Sequence, residues 1–86
     1  MIRVLDGKTY GERQDYKSYI GNEYDDFEDF VNSLSHSFYV IEVGAVSDDK
    51  TVGYVYLEGR FNYTEKCTLW FEDVNIINPK KYQKYL

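Results

Sequence analysis

From Ser37 to Val74 the apolar residues recur with a period of two, and this alternation restricts the possible folds more than any other feature of the chain. SFYVIEVGAV is followed by the turn-forming SDDK, then by TVGYVYLEGRF, a second turn over Asn62 to Lys66, and CTLWFEDV. Successive side chains of an extended chain point to opposite faces, and Val, Ile, Phe and Tyr suit a pleated, half-buried surface. The pattern predicts three antiparallel strands in succession, a meander. Tyr39, Ile41, Val43 and Ala45 should share a face of the first strand. Val55 and Leu57 should oppose Tyr54, Tyr56 and Glu58 on the second, and Cys67, Leu69 and Phe71 should oppose Thr68, Trp70 and Glu72 on the third. Gly44, Gly53 and Gly59 inside these strands read as bulges or as close packing beneath large rings.

Upstream the period changes. Asn22 is a good N-cap, and after it Tyr24, Phe27, Phe30, Val31 and Leu34 recur at helical spacing. This predicts an amphipathic helix with Asp25, Glu28 and Asp29 pointing away from the apolar side and Asp26 at the border. MIRVL predicts a short first strand that meets a turn at Asp6-Gly7. GKTYGERQDYKSYIG reads as a loop with one helical turn, Tyr16, Tyr19 and Ile20 at helical spacing and Gly21 closing it. Asn78-Pro79 opens a short basic C-terminal helix carrying Tyr82, Tyr85 and Leu86. The expected architecture is a single α+β domain over residues 1–86, a mainly antiparallel sheet with one amphipathic helix packed on it and a short C-terminal helix. A chain of 86 residues has room for one compact core, and ten Tyr and five Phe must supply much of its packing.

Charge is distributed unevenly. The formal net charge is -5, yet residues 18–49 carry eight acids and no Lys or Arg. Glu23, Asp25, Asp26, Glu28, Asp29, Glu42, Asp48 and Asp49 therefore have no cation close in sequence. Like charges three or four residues apart on a helix cost about 0.2 to 0.5 kcal/mol per pair, so a solvated helix face alone does not require this arrangement. No apolar run is long enough to span a membrane, and MIRVLDGKTYGE lacks the apolar centre of a secretory signal. The single Cys67 suits a reducing compartment, so a cytoplasmic location is expected.

Catalytic chemistry finds few residues to use. Nucleophilic catalysis needs a nucleophile, a base and an orienting group. The chain has one His, His36, placed to serve the last carbonyls of the helix, and one Cys, Cys67, on the expected core face. Zinc would need more Cys and His, and the loop at Asp48 departs from a calcium loop at Lys50, Val52 and Gly59. The six glycines form no phosphate-binding pattern. No catalytic residue, metal site or cofactor is expected. Tyr54, Tyr56 and Trp70 could stack bases, with Arg60, Lys66, Lys80, Lys81 and Lys84 nearby, but the net acidity opposes direct contact with nucleic acid.

The acids themselves are the remaining feature. Glu23, Tyr24, Asp25, Asp26, Glu28, Asp29, Asp48 and Asp49 are the candidate partner-binding residues, facing a basic groove of a nucleic-acid-binding effector. In size, acidity and aromatic content, over the whole chain and without a motif to match residue by residue, the sequence resembles the small inhibitors that phages deploy against host nucleases, including anti-CRISPR and anti-restriction proteins. That resemblance implies a non-catalytic inhibitor in the host cytoplasm that mimics nucleic acid. The alternative is an immunity or antitoxin-like protein, or a structural subunit, acting through its Tyr-rich sheet face.

Overall fold

The computed structural model describes residues 1–11, 15–46, 51–60 and 66–73. Strands β1 (Ile2–Thr9), β2 (Glu23–Tyr24), β3 (Phe38–Ala45), β4 (Val52–Gly59) and β5 (Lys66–Asp73) form one antiparallel sheet in the order β2-β1-β5-β4-β3. Helix α1 (Phe27–Leu34) and a 3₁₀ turn (Asp15–Tyr19) complete the described elements. This is the expected α+β arrangement. The meander β3-β4-β5 is present, and β1 closes against β5 to make β5 a central strand. The expected C-terminal helix lies outside the described residues.

The core lies between one face of the sheet and α1. Val43, Val55 and Leu69 form one cross-strand row, Val40, Leu57 and Cys67 the next, and Phe71 pairs with Val4. Ile2, Val4, Val55, Leu57, Cys67, Leu69 and Phe71 are fully buried. The helix answers with Phe27, Phe30 and Leu34, which recur at three and four residues and so share one side. Phe30 meets Phe71 at 5.5 Å between ring centroids and Phe27 meets Phe71 at 5.7 Å. From the 3₁₀ turn, Tyr16 is buried and Tyr19 packs edge-on to Phe38 at 6.1 Å.

Two strand expectations are corrected by β-bulges. The Asp6-Gly7 pair is not a turn: β1 continues through it to Thr9, and the pairing with β5 skips Leu5 between Val4 and Asp6. Gly7 is retained inside the strand because a Cβ there would lie 2.8 Å from both Leu69 Cδ2 and Tyr16 Cδ2. In β3 the pairing skips Ile41 between Val40 and Glu42. The extra residue reverses the alternation, so Phe38 and Val40 join Val43 and Ala45 on the core side while Tyr39 and Ile41 are exposed. Tyr39 and Ile41 therefore do not share the core face with Val43.

The helix also starts later than expected. Asn22 is not its cap, because the Asn22 carbonyl accepts from the Val4 amide at 2.9 Å and the next two residues pair with β1. Gly21, at φ 89°, turns the chain into this short edge strand. Asp26 is the N-cap instead, with Oδ1 accepting from the Asp29 amide at 2.9 Å. At the other end of α1, Ser33 Oγ donates to the Phe30 carbonyl at 2.7 Å and Tyr19 donates its hydroxyl to the Ser33 carbonyl at 3.3 Å. The Ser35 carbonyl accepts from Arg60 Nε at 2.7 Å, so a cation from the end of β4 supplies the charge that the last turn lacks and that the sequence assigned to His36.

Candidate functional site: an acidic helix side and an aromatic sheet face

The structure divides the acids predicted to bind a partner among different surroundings. Glu23 lies in β2 opposite Arg3, and its Oε1 accepts from Arg3 Nε at 3.1 Å and sits 3.0 Å from Arg3 Nη2. Arg3 also reaches Glu72 at 3.5 Å. Glu23 thus has an internal cation twenty residues away in sequence, and it belongs to the sheet face opposite α1. Tyr24 is half-buried, with its ring 5.2 Å from that of Phe30, so it is chiefly a core residue. Asp26 is occupied as the helix cap. Asp48 and Asp49 lie outside the described residues.

Asp25, Glu28 and Asp29 remain. All three are exposed, and none takes part in an ion pair among the described residues. Glu28 and Asp29 occupy the first turn, where the positive end of the helix dipole favours them. The surviving acidic surface is therefore a patch of three carboxylates on and just before the start of α1, away from the sheet.

The second surface is the sheet face that α1 leaves uncovered. Register places Glu42, Tyr56, Thr68 and Lys8 in one row across four strands, and Gly44, Tyr54, Trp70 and Asp6 in the next. Tyr54, Tyr56 and Trp70 share this face as the alternation predicts, half-buried against one another. Gly44 leaves the room that the Tyr54 ring uses, since a Cβ there would run into the ring. Burial, followed by the charge of Glu42 and a hydrogen bond to its carboxylate, pushes the Tyr54 hydroxyl above the ordinary tyrosine pKa. Tyr10, just past β1, meets Tyr56 edge-on at 6.1 Å, and its hydroxyl lies 3.2 Å from Thr68 Oγ1. Together Tyr10, Glu42, Tyr54, Tyr56, Thr68 and Trp70 line an open concavity of about 410 Å³.

The remaining sequence candidates are placed as follows. Cys67 is buried in the core, and His36 is exposed in the turn after α1. Among the described residues, no three His, Cys, Asp or Glu side chains converge as a metal site would require, and no helix is long and apolar enough to cross a membrane. Tyr10 is the site residue that sequence reasoning missed. The signal that could have found it is the continuation of β1 past Gly7. No family model, curated protein or solved structure matches the chain.

Proposed function

We propose that the chain is a small acidic protein-binding inhibitor that docks Asp25, Glu28 and Asp29 against a basic nucleic-acid-binding surface of a host defence nuclease, in the manner of anti-CRISPR or anti-restriction proteins. The observation that carries this reading is the exposure of these three carboxylates with no ion-pair partner among the described residues. Carboxylates at the start of a helix present negative charge on a rigid support, as phosphates do along a nucleic-acid backbone. Asp26 and Glu23 are left out of the contact because a cap and an arginine already hold them.

The test uses the triple change Asp25→Lys, Glu28→Lys and Asp29→Lys, with Asp26 retained to keep the cap. A milder companion carries Asp25→Asn, Glu28→Gln and Asp29→Asn. Wild-type protein should capture a basic nucleic-acid-binding partner at low salt and release it near 1 M salt, where the screening length falls to about 3 Å. Both variants should stay folded by circular dichroism and lose the partner. Capture that survives both changes and high salt would sink the reading.

A second reading is favoured by the aromatic concavity: an immunity-like or structural subunit that binds through its sheet face. Partner capture that tolerates salt and the α1 changes but fails on changing Tyr54 or Trp70 would select it.

A further inference from the structure

The uncovered sheet face combines ring faces with a carboxylate, and that combination has a definite complement. An aromatic face is electrostatically negative and attracts cations, most strongly when Trp or Tyr supplies it. In the concavity, Tyr54 and Tyr56 from β4, Trp70 from β5 and Tyr10 just past β1 supply rings, and Glu42 supplies a carboxylate at the β3 side. Glu42 is exposed and, beyond the hydrogen bond it takes from the Tyr54 hydroxyl, joins no ion pair among the described residues. Glu58, paired with Tyr39 on one side and with Lys66 on the other, has its charge offset by that lysine, so Glu42 is the carboxylate that the concavity itself presents. Lys8, at the other end of the Glu42 row, lies about 14 Å away across three strand spacings, so the attraction is centred on the β3 side.

The chain already uses this chemistry on itself. The Arg60 guanidinium carbon lies 4.2 Å from the centroid of Tyr39, and the Lys8 ammonium lies 5.4 Å from that of Tyr10. Tyr10 is itself part of the concavity, and Tyr39 stands opposite Glu58. The guanidinium sits closer than the ammonium, and a guanidinium can also present two donors to a carboxylate. At about 410 Å³ the space falls within the ordinary range of small-ligand sites, roughly 300 to 1,000 Å³.

We propose that this concavity is a binding site for the guanidinium of an arginine side chain on a partner protein, stacked among Tyr54, Tyr56 and Trp70 and paired with Glu42. The inference rests on the sheet face and is independent of the acidic side of α1, which points away from the other side of the sheet. Failure of one site leaves the other standing.

Trp70 is the only tryptophan, so its emission reports on the concavity directly. Wild-type protein at low salt is titrated with Nα-acetyl-arginine amide, with the corresponding lysine amide, and with the citrulline amide, which keeps the shape of arginine without its charge. A saturable change with the arginine amide is expected, at a dissociation constant on the order of 1 mM for a single side chain. Lysine amide should bind several-fold more weakly and citrulline amide should give no saturation. Glu42→Gln, a change at an exposed position, should weaken the arginine response about tenfold. The triple α1 variant should respond as wild type does. A merely linear response, an equal response to citrulline, a lysine affinity matching that for arginine, or an unchanged titration with Glu42→Gln would each overturn the proposal.

Discussion

Gly7 and Gly44 stand on opposite faces of the same sheet, and each makes room for a tyrosine ring. At Gly7 an added methyl would press on Leu69 Cδ2 and Tyr16 Cδ2, both at 2.8 Å and both belonging to buried residues. At Gly44 it would press on the outer end of Tyr54, which lies on the open face and can tilt toward solvent. Overpacking a filled core costs about 1 to 3 kcal/mol. Gly7→Ala should therefore destabilise by an amount in the upper part of that range, and Gly44→Ala by about 1 kcal/mol or less, as read from urea denaturation. Gly44→Ala should also shift the emission of Trp70, because Tyr54 is pushed from its place beside it. A larger loss for Gly44→Ala than for Gly7→Ala would contradict this division of the two faces.

At the scale of the element, α1 shows why some boundaries are legible in the sequence and others are not. Tyr24 satisfies helical spacing with Phe27 and Phe30, yet as a strand residue paired with Ile2 it reaches the same core, so its burial does not distinguish the two conformations. The competition is decided by backbone partners on β1, which lie some twenty residues away. Local reading favours Asn22 as the cap for that reason, and it misses the Arg3–Glu23 pair for the same one. Asp26→Ala should accordingly cost about 1 kcal/mol, whereas Asn22→Ala should leave the start of α1 unchanged, as judged by amide exchange at Asp29 and Phe30. Asn22→Ala loosening those amides while Asp26→Ala spares them would return the cap to Asn22.

The meander was legible because its alternation is long and its rows are uniform, as Tyr54, Tyr56 and Trp70 illustrate. The bulges at Leu5 and Ile41 were not, since one extra residue leaves composition unchanged while reversing every face beyond it. Each bulge leaves a large apolar side chain exposed, Leu5 at 40% and Ile41 at 44%, the mark of a residue that the ladder does not pair. In β3 the bulge also interrupts an eight-residue strand at the edge of the sheet, where an unbroken ladder would invite pairing with another chain. Of the candidate site, the aromatic centre could be read from period alone. Tyr10 could not, because Asp6-Gly7 reads as a turn that ends its strand.

Among the described residues the molecule is a single layer of sheet, one side packed by α1 and the other covered by no described element, and β5 belongs to both. Cys67 points into the core and Trp70, three residues on, belongs to the opposite face. The radius of gyration, 11.9 Å, is close to the roughly 12 Å expected of a compact chain of this length, so one core must support both surfaces. The two faces should then melt together. In a urea titration, Trp70 emission and the accessibility of the Cys67 thiol to a brief pulse of thiol reagent should share one midpoint, with a slope toward the lower end of the usual 1 to 3 kcal/mol/M, roughly as small domains show. Folded protein should protect the thiol, because the sulfur reacts as thiolate from an exposed position and Cys67 is 1% exposed. A Trp70 transition at distinctly lower urea than that of Cys67 would show that the aromatic face loosens while the core holds. The concavity would then not be held in place by the strands beneath it, and a site that depends on fixed spacing between Glu42 and three rings would lose its physical basis.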